Sequence, residues 1–182
     1  MKSKQDSIIS LFFDNPTKEW HFQKIVDEAK IARSKADKWL KYFVKQGLIK
    51  REKKKGEMPY YTSNYDFPEY KSRKRIFALN KMHESGFLNH LLSLKKAKTV
   101  IVFGSFSRSD WYKESDIDVF VYGDPEGLRI ADYELKLKRD IQLFLCKDKK
   151  DLFKLGKGLI KNIIKGDLIK GDINFLRLDI DA

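Results

Sequence analysis

Thr99-Val-Ile-Val-Phe-Gly-Ser-Phe-Ser-Arg-Ser-Asp-Trp-Tyr-Lys-Glu-Ser-Asp-Ile-Asp-Val-Phe-Val-Tyr122 holds the most informative pattern in the chain. Val100–Phe103 is a short apolar run, rich in β-branched residues, and predicts a buried strand. Gly104-Ser105 then turns sharply into a short helix. Ser115 precedes Asp116-Ile117-Asp118, which opens a second apolar strand through Val119–Tyr122. Strand alternation places Asp116 and Asp118 on one face and Ile117, Val119 and Val121 on the other.

Two carboxylates two residues apart at a strand start can hold one or two hard divalent cations, Mg²⁺ or Mn²⁺, with nucleotide phosphates completing the shell. Gly104 lets the backbone approach a triphosphate closely. Ser105 and the N–H groups that follow it can meet the β and γ phosphates at a helix start. Arg108, about one helical turn on, adds positive charge. Gly-Ser, ten residues, then Asp-apolar-Asp between apolar strands resembles the signature of the polymerase-β-like nucleotidyltransferases. Gly104-Ser105-Phe106-Ser107-Arg108 followed by Ser115-Asp116-Ile117-Asp118 is similar to their minimal branch in particular. The resemblance covers about residues 97–175.

That resemblance implies transfer of a nucleoside monophosphate from an NTP, with ATP the expected donor, to an acceptor hydroxyl. Asp116 and Asp118 would be metal ligands, and Gly104, Ser105, Arg108 and Ser115 would serve the nucleotide. Active members carry a third acid on the next strand, between two apolar residues. That slot, between Ile141 and Leu143, is Gln142 here; Asp140 is the nearest acid, one pleat earlier, and is the expected substitute. Ile141, Leu143 and Leu145 are expected to face the core. Family analogy adds an antitoxin-like role, with a toxin-like partner protein as acceptor. The alternative is a transcriptional regulator whose nucleotide-binding domain has weak or lost activity.

Upstream, the charge is uneven. Residues 1–75 hold 19 Lys/Arg against 10 Asp/Glu, so +9 of the net +12 lies there. The apolar spacing predicts helices over about 5–14 and 22–30, and a third capped by Ser34 and ended by Gly47. A strand at 48–52, a Lys53–Gly56 turn and a return strand at 59–62 follow. Three small helices and a basic hairpin resemble a winged helix-turn-helix. Lys35, Lys38, Lys41, Tyr42 and Lys45 on the third helix, with Lys53, Lys54 and Lys55 in the hairpin, are the candidate nucleic-acid contacts, DNA being the expected partner.

The expected fold class is therefore α+β. A winged helix-turn-helix domain spans 1–66, connecting helices 67–96, and a nucleotidyltransferase domain with a mixed sheet flanked by helices 97–182. The basic residues of the first connecting helix, Lys71, Arg73, Lys74 and Arg75, read as a solvated face. Residues 151–162 read as one helix, Gly166 and Gly171 as flanking a turn, and Ile173–Leu178 as a final strand. His83 and His90 read as structural, and Cys146 as buried packing in a reducing compartment. With no apolar run long enough to span a bilayer and no leader pattern at Met1, the expectation is a cytoplasmic protein without a membrane partner. A homodimer is left open.

Overall fold

The structure, a computed structural model, describes residues 3–174. The chain divides into two compact units, Met1–Lys74 with Trp111–Lys113, and Arg75–Asp110 with Glu114–Ala182. The architecture is α+β, with a mixed sheet flanked by helices in the second unit.

In the first unit, α1 (Lys4–Asp14) starts at Ser3, whose Oγ accepts from Asp6 N at 3.0 Å. β1 (Trp20–His21), α2 (Phe22–Ala29), α3 (Arg33–Lys45), β2 (Ile49–Glu52) and β3 (Tyr60–Ser63) follow. The strands form an antiparallel sheet ordered β1-β3-β2. β1 has no sequence signal: two residues carry no periodicity, and only the pairing of Trp20 with Tyr61 makes them a strand. The cap of α3 is Ala32, not Ser34, because the Lys35 and Ala36 amides both donate to Ala32 O at 3.0 Å and start the helix two residues earlier. Ile8, Phe12, Ile25, Ala36, Leu40, Phe43 and Ile49 are buried.

α4 (Pro68–Glu84) corrects a second expectation. Lys74 is not solvated; it is 1% exposed. A buried ammonium needs partners that replace water. Lys74 Nζ donates to Trp111 O and lies 4.4 Å from the centroid of the Trp111 ring. Trp111, 2% exposed, also meets Phe13 edge-on at 6.4 Å, and Lys113 N donates to Asp14 O at 2.8 Å. Trp111, which lies between the Gly104-Ser105 turn and Asp116 in sequence, thus supplies part of the first unit's core.

The second unit holds α5 (Phe87–Ser93), β4 (Ala97–Phe103), α6 (Ser105–Arg108), β5 (Ile117–Gly123), α7 (Ala131–Leu137), β6 (Ile141–Cys146), α8 (Lys149–Lys154), α9 (Lys157–Ile164) and β7 (Asp167–Lys170). The sheet order is β6-β5-β4-β7, with β5 and β6 parallel and the other pairs antiparallel. Ile101, Phe103, Phe120, Tyr122, Cys146, Leu152 and Ile163 form one core, with Phe144, Leu155 and Leu159 packed on it. Val100, Val102, Ile117, Val119 and Val121 are buried on the opposite face.

The expected inward face of β6 holds for Ile141, which is buried, and Leu143, which is half-buried, and fails at Leu145, which is 45% exposed; Phe144 and Cys146 pack on the other face against the core. The helix expected over 151–162 is two helices, α8 and α9, separated at Leu155-Gly156 by extended backbone. Gly166 and Gly171 flank a strand, not a turn. A Cβ on Gly166 would stand 2.6 Å from Ile101 Cγ2 and Val102 O, and one on Gly171 would overlap Lys98 O. Both glycines let β7 close on β4. Ile173 and Asn174 are not in a strand, and the rest of that expected strand lies outside the described residues. His90 is structural, its Nε2 accepting from Arg129 N at 3.0 Å while its ring stacks on Tyr133. Among the described residues no helix is long and apolar enough to cross a membrane.

Candidate active site

β4 delivers Gly104 and β5 delivers Asp118 to the same end of the sheet, because Phe103 and Asp118 are register partners. Gly104 has φ 73° and ψ −143°, a backbone conformation open in practice only to glycine. It is needed for a second reason: a Cβ there would overlap Asp118 Oδ2 and lie 2.9 Å from its Cγ. The Asp118 carboxylate therefore rests directly on the bend.

Asp118 is half-buried at the rim of the face that carries Phe120 and Tyr122. Burial pushes its pKa above the ordinary aspartate value, the Asp116 charge pushes it further, and Arg108 pulls it partly back. These couplings bring Asp116, Asp118 and Arg108 to one locality. Arg108 is also held by Asp110, with Nε at 2.9 Å from Oδ2 and Nη2 at 3.4 Å from Oδ1. Ser105 opens α6 half-buried, and Ser107 Oγ donates to Gly104 O at 3.0 Å, bracing the bend.

The donor set suits a divalent cation. Two neighbouring carboxylates, one partly desolvated, carry like charge that a hard cation would relieve. The glycine bend leaves bare backbone beside them where a side chain would otherwise sit.

β6 is the third contributor. Its parallel register with β5 sets Gln142 beside Asp118, and Ile117 N donates to Asp140 O at 2.9 Å. Asp140 is exposed and is not gathered with the acid pair: among the described residues no three His, Cys, Asp or Glu side chains are grouped to hold a metal ion. Arg139, which the sequence reading passed over, is half-buried here. Its Nη1 donates to Ser115 O at 3.1 Å, and its guanidinium lies 5.2 Å from the Phe106 ring centroid. No local pattern announces this contact, since Arg139 and Ser115 are 24 residues apart and meet only through the sheet register.

In the first unit, Lys35, Lys38, Lys41 and Lys45 are exposed along α3, with Tyr42 half-buried among them. Lys41 pairs with Asp37 at 2.7 Å, and Lys38 lies over Trp39. The neighbouring Lys4 ammonium holds the Lys35 pKa below the usual lysine value. Lys53, Lys54 and Lys55 are exposed in the hairpin, Lys54 reaching Glu19 at 3.0 Å.

Comparison with known proteins covers the same stretch of the chain. The family model described as "Polymerase beta, Nucleotidyltransferase" matches residues 88–172. A protein of Methanocaldococcus jannaschii named "Putative protein adenylyltransferase" is 31% identical over 85 residues, which is 43% of this chain and 85% of that protein. No solved structure matches at a comparable level. The chain belongs to the polymerase beta nucleotidyltransferase family.

Proposed function

We propose that the second unit transfers a nucleoside monophosphate, adenylyl in the first instance, from an NTP to a hydroxyl group. The observation that carries this is the Asp118 carboxylate seated on Gly104 with the Asp116 charge beside it. The first N–H groups of a helix are not consumed within it, so the start of α6 can bind the donor's terminal phosphates, with Ser105 Oγ adding a donor and Arg108 adding charge. Asp116 and Asp118 would hold a Mg²⁺ ion, or Mn²⁺ in its place. When bound, this cation supplies positive charge against the phosphate oxygens. The acceptor oxygen forms a bond to the α-phosphorus as the bond to pyrophosphate breaks, and the hydroxyl proton passes to a base. Asp140, immediately before β6, is the nearest acid in that segment, and it would have to close on the acid pair to take that proton.

The relative's name favours a hydroxyl on a protein as acceptor. Incubation with labelled ATP, Mg²⁺ and cell lysate tests the reading. Label transferred to a macromolecule by the wild type and not by Asp116→Asn supports it. Nucleotide binding without transfer would instead support a regulator with a weakly active domain, a reading favoured by Gln142 standing where an acid would pair with Asp118.

For the first unit we propose a winged helix that binds DNA. Its support is the strand order β1-β3-β2 with three helices and the exposed lysines of α3 and the hairpin. Affinity for duplex DNA should then fall with salt, the log–log slope changing by about 0.9 per phosphate contact. Replacing Lys38 and Lys45 with alanine should flatten that slope by roughly 2 in fluorescence anisotropy titrations. Binding that ignores salt would remove the proposal.

A further inference from the structure

We propose that Arg139 is a positioning residue that sets the spacing between the phosphate-binding bend and the acid pair. The inference rests on the nucleotidyl-transfer reading above. The site is assembled from pieces that are not held by adjacent backbone alone. The bend leaves the end of β4 through α6, and Asp116 precedes β5 after the intervening residues have passed through the first unit. The β4–β5 pairing of Phe103 with Asp118 holds Asp118 at the bend, whereas Asp116 lies outside that ladder, and a cross-link that touches both sides would fix its place.

Arg139 supplies it from a third segment. Its own backbone is secured at the end of α7: Lys138 takes the left-handed conformation at φ 55°, and Arg139 N donates to Glu134 O at 3.3 Å. The next residues are secured as well. Asp140 O accepts from Ile117 N at 2.9 Å, and Ile141 N donates to Glu134 Oε1 at 3.0 Å. From this base the guanidinium does two things. Its plane edge donates to Ser115 O, the carbonyl immediately before Asp116, and its charge lies against the ring of Phe106, the residue after Ser105. A guanidinium suits this double role because its planar donors and its face are used together; an ammonium offers a point charge without the fork. Phe106 is in turn 5% exposed, so the cation sits on a ring that cannot swing away. Arg139 thus acts through Ser115 and Phe106, while Arg108 is the cation that acts on Asp118 itself.

A spacer of this kind controls cooperation between the two half-sites more than the affinity of either one. The test is calorimetric titration of the full chain with α,β-methylene ATP, which cannot release pyrophosphate, with and without Mg²⁺. The ratio of the two dissociation constants measures that cooperation. Arg139→Ala should reduce the ratio about tenfold while metal-free affinity changes less than about threefold. Arg139→Lys, which keeps the charge and the fold, should reduce it by an intermediate amount and serves if the alanine variant does not fold. An undiminished ratio in either variant overturns the role of Arg139. A wild-type protein whose affinity is indifferent to Mg²⁺ would instead overturn the nucleotidyl-transfer reading on which the inference stands.

Discussion

Gly104→Ala is expected to destabilise the second unit by about 3 kcal/mol and to abolish nucleotide binding. Two separate costs contribute. An alanine at φ 73° and ψ −143° is strained in its own backbone, whatever surrounds it. Its methyl group would also overlap Asp118 Oδ2 and force that carboxylate off the bend. A double-mutant cycle separates the two terms. In an Asp118→Ala background the steric cost disappears and the backbone strain persists, so Gly104→Ala should cost measurably less there. The readout is urea unfolding, with each unit's transition followed separately because a chain of two units need not unfold in one step. Equal costs in both backgrounds would show that Asp118 does not lean on Gly104. A tolerated alanine would remove the geometric basis of the site.

Asp118→Asn should lower transfer by about 10³-fold, equivalent to about 4 kcal/mol of transition-state stabilisation. The same change should raise the stability of the metal-free protein at neutral pH. The folded Asp118 binds its proton more tightly than the unfolded chain does, so its contribution to stability is fully present below the unfolded pKa. That contribution is lost as pH rises through the raised folded pKa. At neutral pH the ionised carboxylate, beside Asp116 and partly desolvated, is a cost that asparagine removes. Adding Mg²⁺ and nucleotide should reverse the order, since the ligands stabilise only the wild type. Thermal unfolding in chelator and in Mg²⁺ with nucleotide reads both halves. Metal-dependent nucleotide binding by the wild type should weaken as acid titrates Asp118, beginning above the pH expected of an ordinary aspartate. An Asp118→Asn variant that is less stable in chelator and still active would remove both the electrostatic account and the proposed site.

Local patterning alone revealed the apolar strands around Gly104 and Asp118, the glycine bend and the alternating acids. It did so because each depends on a few adjacent residues whose spacing matches a strand or a tight turn. The helices of the first unit were legible for the same reason, to within a turn at their ends, whereas the helix read over 151–162 is two, α8 and α9. What tertiary structure alone decided involves partners distant along the chain. Lys74 is a helix-face lysine by spacing, yet Trp111, 37 residues away, makes it a core residue. Gly166 and Gly171 have turn composition, yet the approach of β7 to β4 makes them strand borders. Phe144 packs on the core while Leu145 stays exposed because β6 is an edge strand, a placement that no alternation within β6 contains. Gln142 beside Asp118 and Arg139 beside Ser115 follow from one parallel register, which is set by how the whole sheet buries its side chains.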